Sequence, residues 1–154
     1  MSNLINYELY KQFHNCLPIV CVDIVLKTAD REFLMLKRRE HPAKNKWWFV
    51  GGRVFKNESL ECAARRKVRE EIGLNVENLE KIIGGHEIFF KEDPFGHGNG
   101  THAIVSCFSS EIENIVNLKM DNFSSDHKLF RFYKNNWHPY LIKCLHKSGF
   151  SAKI

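Results

Sequence analysis

With 154 residues, 44% of them hydrophobic and 27% charged, the chain has room for one domain with a real core and not for two. The net charge of +5 and pI near 9.0 suit an anionic substrate, but no basic run with interleaved aromatics marks a nucleic-acid surface. No basic-then-apolar leader opens the chain, and no apolar run reaches the roughly 18 residues of a membrane span. The five cysteines contain no C-x-x-C pair and read as free buried thiols in a reducing compartment, so the expected location is the cytoplasm.

In chain order, Tyr7 to His14 reads as a short helix and Pro18 to Leu26 as a buried strand interrupted by one charge, Asp23. A turn at Thr28 to Arg31 leads to a returning strand, Glu32 to Lys37. A polar loop with Pro42 runs to Trp47-Trp48-Phe49-Val50, where both tryptophans read as core, and then to Gly51-Gly52. The next segment predicts a helix with Asn57 as N-cap and Gly73 as stop. Leu60, Ala64, Val68 and Ile72 give it one apolar face. Strands are expected near Ile82 to Lys91 and His102 to Phe108, around a Gly-rich loop from Asp93 to Gly100. A last strand at Leu129 to Tyr133 and a helix at Pro139 to Lys147 follow. Strands interleaved with helices predict an α/β sandwich on a mixed sheet, in one domain over 1–154.

The chemistry concentrates in Gly52 to Leu74. Glu58, Glu70 and Glu71 form the hard oxygen-donor set that Mg²⁺ or Mn²⁺ prefers, with the Gly52 carbonyl close by and Arg66 one turn from Glu70. The run resembles the signature of the Nudix hydrolases, G-x5-E-x7-R-E-U-x-E-E-x-G-U with U aliphatic. Gly52, Glu58, Arg66, Val68, Glu70, Glu71, Gly73 and Leu74 fall in place. Lys67 stands where the pattern has the first Glu of its R-E pair. The resemblance implies the Nudix-type α/β/α sandwich, dependence on Mg²⁺, and substrates built as a nucleoside diphosphate linked to another group.

In many Nudix enzymes the replaced Glu helps activate the water that attacks phosphorus, and an ammonium cannot accept that proton. The chain is most similar to the GDP-mannose mannosyl hydrolase branch, which also departs here. The similarity lies in Ile19 to Asp23, in Lys37-Arg38 with Pro42-Ala43, in Trp47 to Val54, and in Asp126-His127 before Phe130-Arg131-Phe132. It implies attack of water on the anomeric carbon, releasing GDP and the sugar. It assigns Mg²⁺ to the Gly52 carbonyl, Glu71 and Asp126, with Glu70 retained as a further metal candidate. It makes His127 the general base; among the chain's other histidines, His86 and His102 compete for that role. Arg38 and Arg53 face the leaving diphosphate, Arg66 orients Glu71, and Asp23 assists near the anomeric centre.

The chain departs from the pattern at Val50, where the family has Pro, at Ala103 in place of Tyr, and at Asp126 in place of Gln. Three readings stand: a GDP-sugar hydrolase with GDP-mannose favoured; a pyrophosphohydrolase cleaving the P–O–P link of a nucleotide sugar, ADP-ribose or a nucleoside triphosphate; and a non-catalytic nucleotide-binding domain. The expected partners are a nucleotide-sugar substrate and a second copy in a homodimer, touching through residues before Pro18, with neither nucleic acid nor membrane.

Overall fold

The structure, a computed structural model, describes residues 5–113, 115, 116 and 118–153. Among the described residues, three helices and seven strands appear in the order α1 (Tyr7–Cys16), β1 (Ile19–Lys27), β2 (Phe33–Arg38), β3 (Trp47–Trp48), β4 (Val50–Arg53), α2 (Leu60–Ile72), β5 (Glu80–Phe90), β6 (Thr101–Glu111), β7 (Ser124–Phe130) and α3 (Pro139–Lys147). The strands form one mixed sheet with the path β3-β2-β1-β6-β5; β4 pairs with β1, and β7 with β2. β1 runs parallel to β6 from Ile19↔Ala103 to Lys27↔Glu111, and its pairings with β2 and β4 are antiparallel.

Strand alternation divides the core into two layers. Val22, Ile24 and Leu26 of β1, with Leu34 and Leu36 of β2, pack against Ala63, Ala64, Val68 and Ile72 of α2. Val25, Phe33 and Met35 face the other way, onto Tyr140, Leu141, Cys144 and Leu145 of α3. The sheet between two helical layers is the expected α/β/α sandwich. Among the described residues, no helix is long and apolar enough to cross a membrane.

Two boundaries differ from the sequence expectation. Ser59, not Asn57, caps α2: its hydroxyl accepts the Cys62 N–H at 3.1 Å, whereas Asn57 takes a left-handed turn at φ 66°. Gly73 ends the helix as expected, in the αL conformation at φ 74°. The last strand spans Ser124–Phe130 rather than Leu129 to Tyr133, so Asp126 and His127 lie inside it. Its polar first half is held by backbone pairing to β2, which needs no apolar side chains. All five cysteines are free; Cys107 and Cys144 are buried as expected, but Cys16 and Cys62 are exposed.

Candidate active site

A cavity of about 600 Å³ opens where the ends of β1 and β4 meet the last turns of α2. Asp23, Arg38, Gly51, Gly52, Arg53, Arg66, Glu70 and Glu71, all singled out from sequence, line it. A wider cleft of about 800 Å³ lies between the 74–80 segment and the end of β6, and none of these residues lines it.

The backbone around Gly51 accounts for the double glycine. β4 pairs with β1 at Asp23↔Gly51 and Val22↔Gly52. A Cβ on Gly51 would lie 2.1 Å from Asp23 Oδ1 and 2.3 Å from the Val22 carbonyl, so no larger residue fits. Asp23 is 5% exposed, and Trp48 donates its indole N–H to Asp23 Oδ2 at 3.1 Å. The Tyr140 hydroxyl approaches the same carboxyl without a well-aligned hydrogen bond. Burial pushes the Asp23 carboxyl up to about 6, against the pull of Trp48 and Arg38.

On α2, the helical offsets of three and four residues knit the charges together. Arg66 grips Glu58 with two hydrogen bonds of 2.7 and 2.9 Å, reaches Glu70 at 3.0 Å, and donates to the Arg53 carbonyl at 3.0 Å. Glu58 also accepts the Phe55 N–H at 3.0 Å, and Arg66 holds its carboxyl below the usual range. Glu58 thus anchors Arg66. The contacts of Arg66 go to Glu58 and Glu70, and it is Lys67 that reaches Glu71: its Nζ lies 2.9 Å from Glu71 Oε1 and 3.4 Å from Glu70 Oε2. Glu71 is buried because it sits three residues from Val68 on the edge of the apolar stripe. Burial pushes its carboxyl up to about 7, although Lys67 and the Gly51 N–H favour the charged form.

The donors fit one hard cation. Glu70 and Glu71 already share one in the Lys67 ammonium, directly over Gly52. Among the described residues, no group of three or more His, Cys, Asp or Glu side chains converges as a ready metal cage.

Two further arginines, Arg53 and Arg38, line the same cavity as this carboxylate pair. The Arg53 guanidinium lies 4.0 Å over the Tyr10 ring and 5.5 Å from the Phe55 ring, and its Nη1 is buried with no hydrogen-bond partner among the described residues. Arg38 is fixed by its Nε–H, which donates to the Pro42 carbonyl at 2.7 Å. Sequence reasoning did not foresee His41, whose Nδ1 is likewise buried without a partner, nor Asp121, which lines the cavity near Glu71. The signal for His41 was its place between Arg38 and Pro42; Asp121 carried none.

Asp126 and His127 are not brought to this cavity. Asp126 pairs with Lys37 across β2 and is exposed, while His127 Nδ1 sits 3.0 Å from Met120 Sδ. The part of that segment that lines the cavity is Asp121 and Phe123. His86 packs on Tyr140, and His102 stacks on Phe89.

The far wall comes from α1 and the 93–100 loop. Tyr10, His14 and Phe95 meet edge to face at 5.0–6.3 Å. The His14 and His97 rings are linked Nδ1 to Nε2 at 2.8 Å. Asp93 fixes the loop by accepting the backbone N–H groups of Phe95, His97 and Gly98 at 2.9, 3.1 and 3.0 Å.

A family model described as the NUDIX domain matches residues 17–141. The chain is 32% identical over 128 residues to the low-salt glycan biosynthesis protein Agl8 of Haloferax volcanii, across 83% of this chain and 80% of that protein. It is 29% identical over 111 residues to the ADP-ribose pyrophosphatase of Methanocaldococcus jannaschii, across 72% of this chain and 61% of that protein. Two solved structures share the fold. The NUDIX domain of Shewanella oneidensis NrtR complexed with ADP ribose has a TM-score of 0.59 at 18% identity, covering 82% of this chain and 83% of its own. The MutT NUDIX hydrolase from Burkholderia pseudomallei has a TM-score of 0.65 at 19% identity, covering 82% and 95%.

Proposed function

This chain belongs to the Nudix family, and we propose that it hydrolyses a nucleoside diphosphate sugar, GDP-mannose favoured, to the nucleoside diphosphate and free sugar. The observation that carries this reading is the meeting, in one cavity, of Arg53, whose Nη1 has no hydrogen-bond partner among the described residues, with the buried Asp23 carboxyl. A leaving diphosphate gains negative charge, while the anomeric carbon gains positive charge. The site offers a guanidinium for the first and a carboxylate for the second.

Arg53 and Arg38 bind the diphosphate, and Lys67 faces it from α2. Trp48 holds the Asp23 carboxyl in one orientation. Mg²⁺ bound by the Gly52 carbonyl, Glu70 and Glu71 would supply further charge neutralisation at the leaving group. Water attacks the anomeric carbon, and the bond from that carbon to the diphosphate oxygen breaks with its electron pair going to the diphosphate. The water's proton passes to Asp23. With its carboxyl near 6, Asp23 is mostly ionised at neutral pH and still basic enough to accept it. This assignment replaces His127, which stands at Met120 outside the cavity. The glycan role in the name of the Haloferax relative supports a nucleotide-sugar substrate.

The second reading, cleavage of the P–O–P bond, draws on the retained Glu70–Glu71 pair and on the ADP-ribose pyrophosphatase relative. Hydrolysis of GDP-mannose in ¹⁸O-water separates the two. GDP with labelled mannose is expected; GMP with mannose 1-phosphate and label on phosphate would overturn the carbon-attack reading. A homodimer belongs to the same proposal, and Tyr7, Leu9, Phe13 and Leu17 near or on α1 expose the apolar surface it would bury.

A further inference from the structure

We propose that the Lys67 ammonium is a resident cation of the carboxylate cluster, standing in for one divalent ion and limiting the cluster to a single, weakly held metal. Three observations carry it. Nζ sits between the two carboxylates that would hold a metal, at 2.9 Å from Glu71 Oε1 and 3.4 Å from Glu70 Oε2. The side chain runs across the face of Gly52, where a Cβ would lie 2.8 Å from Lys67 Cε and 3.4 Å from Nζ. The glycine therefore makes room for the lysine stem as well as for a ligand. The third carboxylate, Glu58, has both oxygens committed, one to Arg66 and the other to Arg66 and the Phe55 N–H.

The charge count has the same sense. With all three carboxylates ionised, Glu58, Glu70 and Glu71 carry −3 against +2 on Arg66 and Lys67, so even the fully ionised cluster offers a metal only −1. Affinity for a hard divalent ion depends on the number of uncommitted carboxylate charges. A fixed unit charge within about 4 Å opposes a second cation strongly wherever water is partly excluded. Both partners of the Lys67–Glu71 pair are largely covered, at 15% and 11% exposure, so screening there is weak. The ammonium also faces the cavity, where it meets the diphosphate as a point charge in the way a bound metal would.

The test counts metal without reference to which bond is cleaved, so its failure is distinct from failure of the proposed reaction. Mn²⁺ is titrated into substrate-free protein and the free ion is followed by electron paramagnetic resonance. Lys67→Met is expected to bind Mn²⁺ at least about tenfold more tightly than the wild type, and Lys67→Glu to bind one additional ion. Lys67→Arg keeps the charge and is expected to match the wild type. Equal affinity and equal ion number in the wild type and Lys67→Met would overturn the proposal, as would Lys67→Arg behaving like Lys67→Met. If Lys67→Met does not fold, the comparison of Lys67→Arg with Lys67→Glu decides: indistinguishable Mn²⁺ binding by those two overturns it.

Discussion

On the α2 side of the cavity, ions hold one another: Arg66 binds Glu58 and Glu70, and Lys67 binds Glu70 and Glu71. On the α1 side, rings hold one another: Tyr10, His14, Phe95 and His97 pack face and edge with one imidazole–imidazole hydrogen bond. The first wall is electrostatically loaded, so exchanging one ion partner for a ligand changes its energy greatly. The second is held by contact area, and altering it changes shape more than charge. Arg53 joins the two, with its carbonyl on Arg66 and its guanidinium over Tyr10. Chemistry is therefore expected to fail through the α2 wall and affinity through the α1 wall.

Glu71→Gln strikes hardest at this division. It removes the buried carboxylate that faces both Lys67 and any metal, and turnover of GDP-mannose should fall by roughly 10³-fold, the scale of a lost electrostatic stabiliser. Turnover within threefold of wild type would show that the α2 wall does not carry the chemistry.

Asp23→Asn comes next and has two readouts. As the proposed base, its loss should lower kcat by roughly 10²–10⁴. Stability should move the other way. The native carboxyl is raised from 3.8 to about 6, so the folded state holds its proton more tightly than the unfolded chain. This contribution is fully present below about pH 4 and is lost as pH rises through about 6. At pH 7.5 the ionised, buried group costs about 3 kcal/mol, an upper figure for the two-unit shift. Asp23→Asn should therefore melt higher than wild type at pH 7.5 and level with it at pH 4. Parallel melting profiles for the two proteins would refute the buried-carboxyl account.

Phe95→Ala should cost about 1–2 kcal/mol in melting experiments through its edge contacts with Tyr7, Tyr10 and His14. Its kinetic effect should appear as a raised KM with kcat nearly unchanged; a fall in kcat alone would erase the distinction between the walls. The smallest change is expected for His127→Gln, which touches neither wall. Its rate should stay within about threefold of wild type, whereas a loss of 10²-fold or more would return the base to His127.

Helix α2 was legible in the sequence because spacing alone decides which of its residues share a face, and α3 because Pro139 and the following apolar pattern mark its start. Asp23 was legible as one charge in an apolar strand. The start of β7 was not, because Ser124 to Lys128 show no apolar alternation and the strand exists through its hydrogen bonds to β2. That hid the outward placement of Asp126 and the arrival of Asp121 at the cavity. The partner of Arg66 was also hidden. Glu58 lies before the helix begins, and only the turn at Phe55 to Glu58 brings it back to the arginine.

Two nitrogens of the cavity lining that find no hydrogen-bond partner among the described residues, Arg53 Nη1 and His41 Nδ1, give the protein a way to report its own ligand. Any compound that satisfies them binds the folded chain and not the unfolded one. A hundredfold excess over its dissociation constant then stabilises the fold by about 2.7 kcal/mol. Melting a panel of nucleotides and nucleotide sugars against the chain would rank base and sugar together, before any bond is broken.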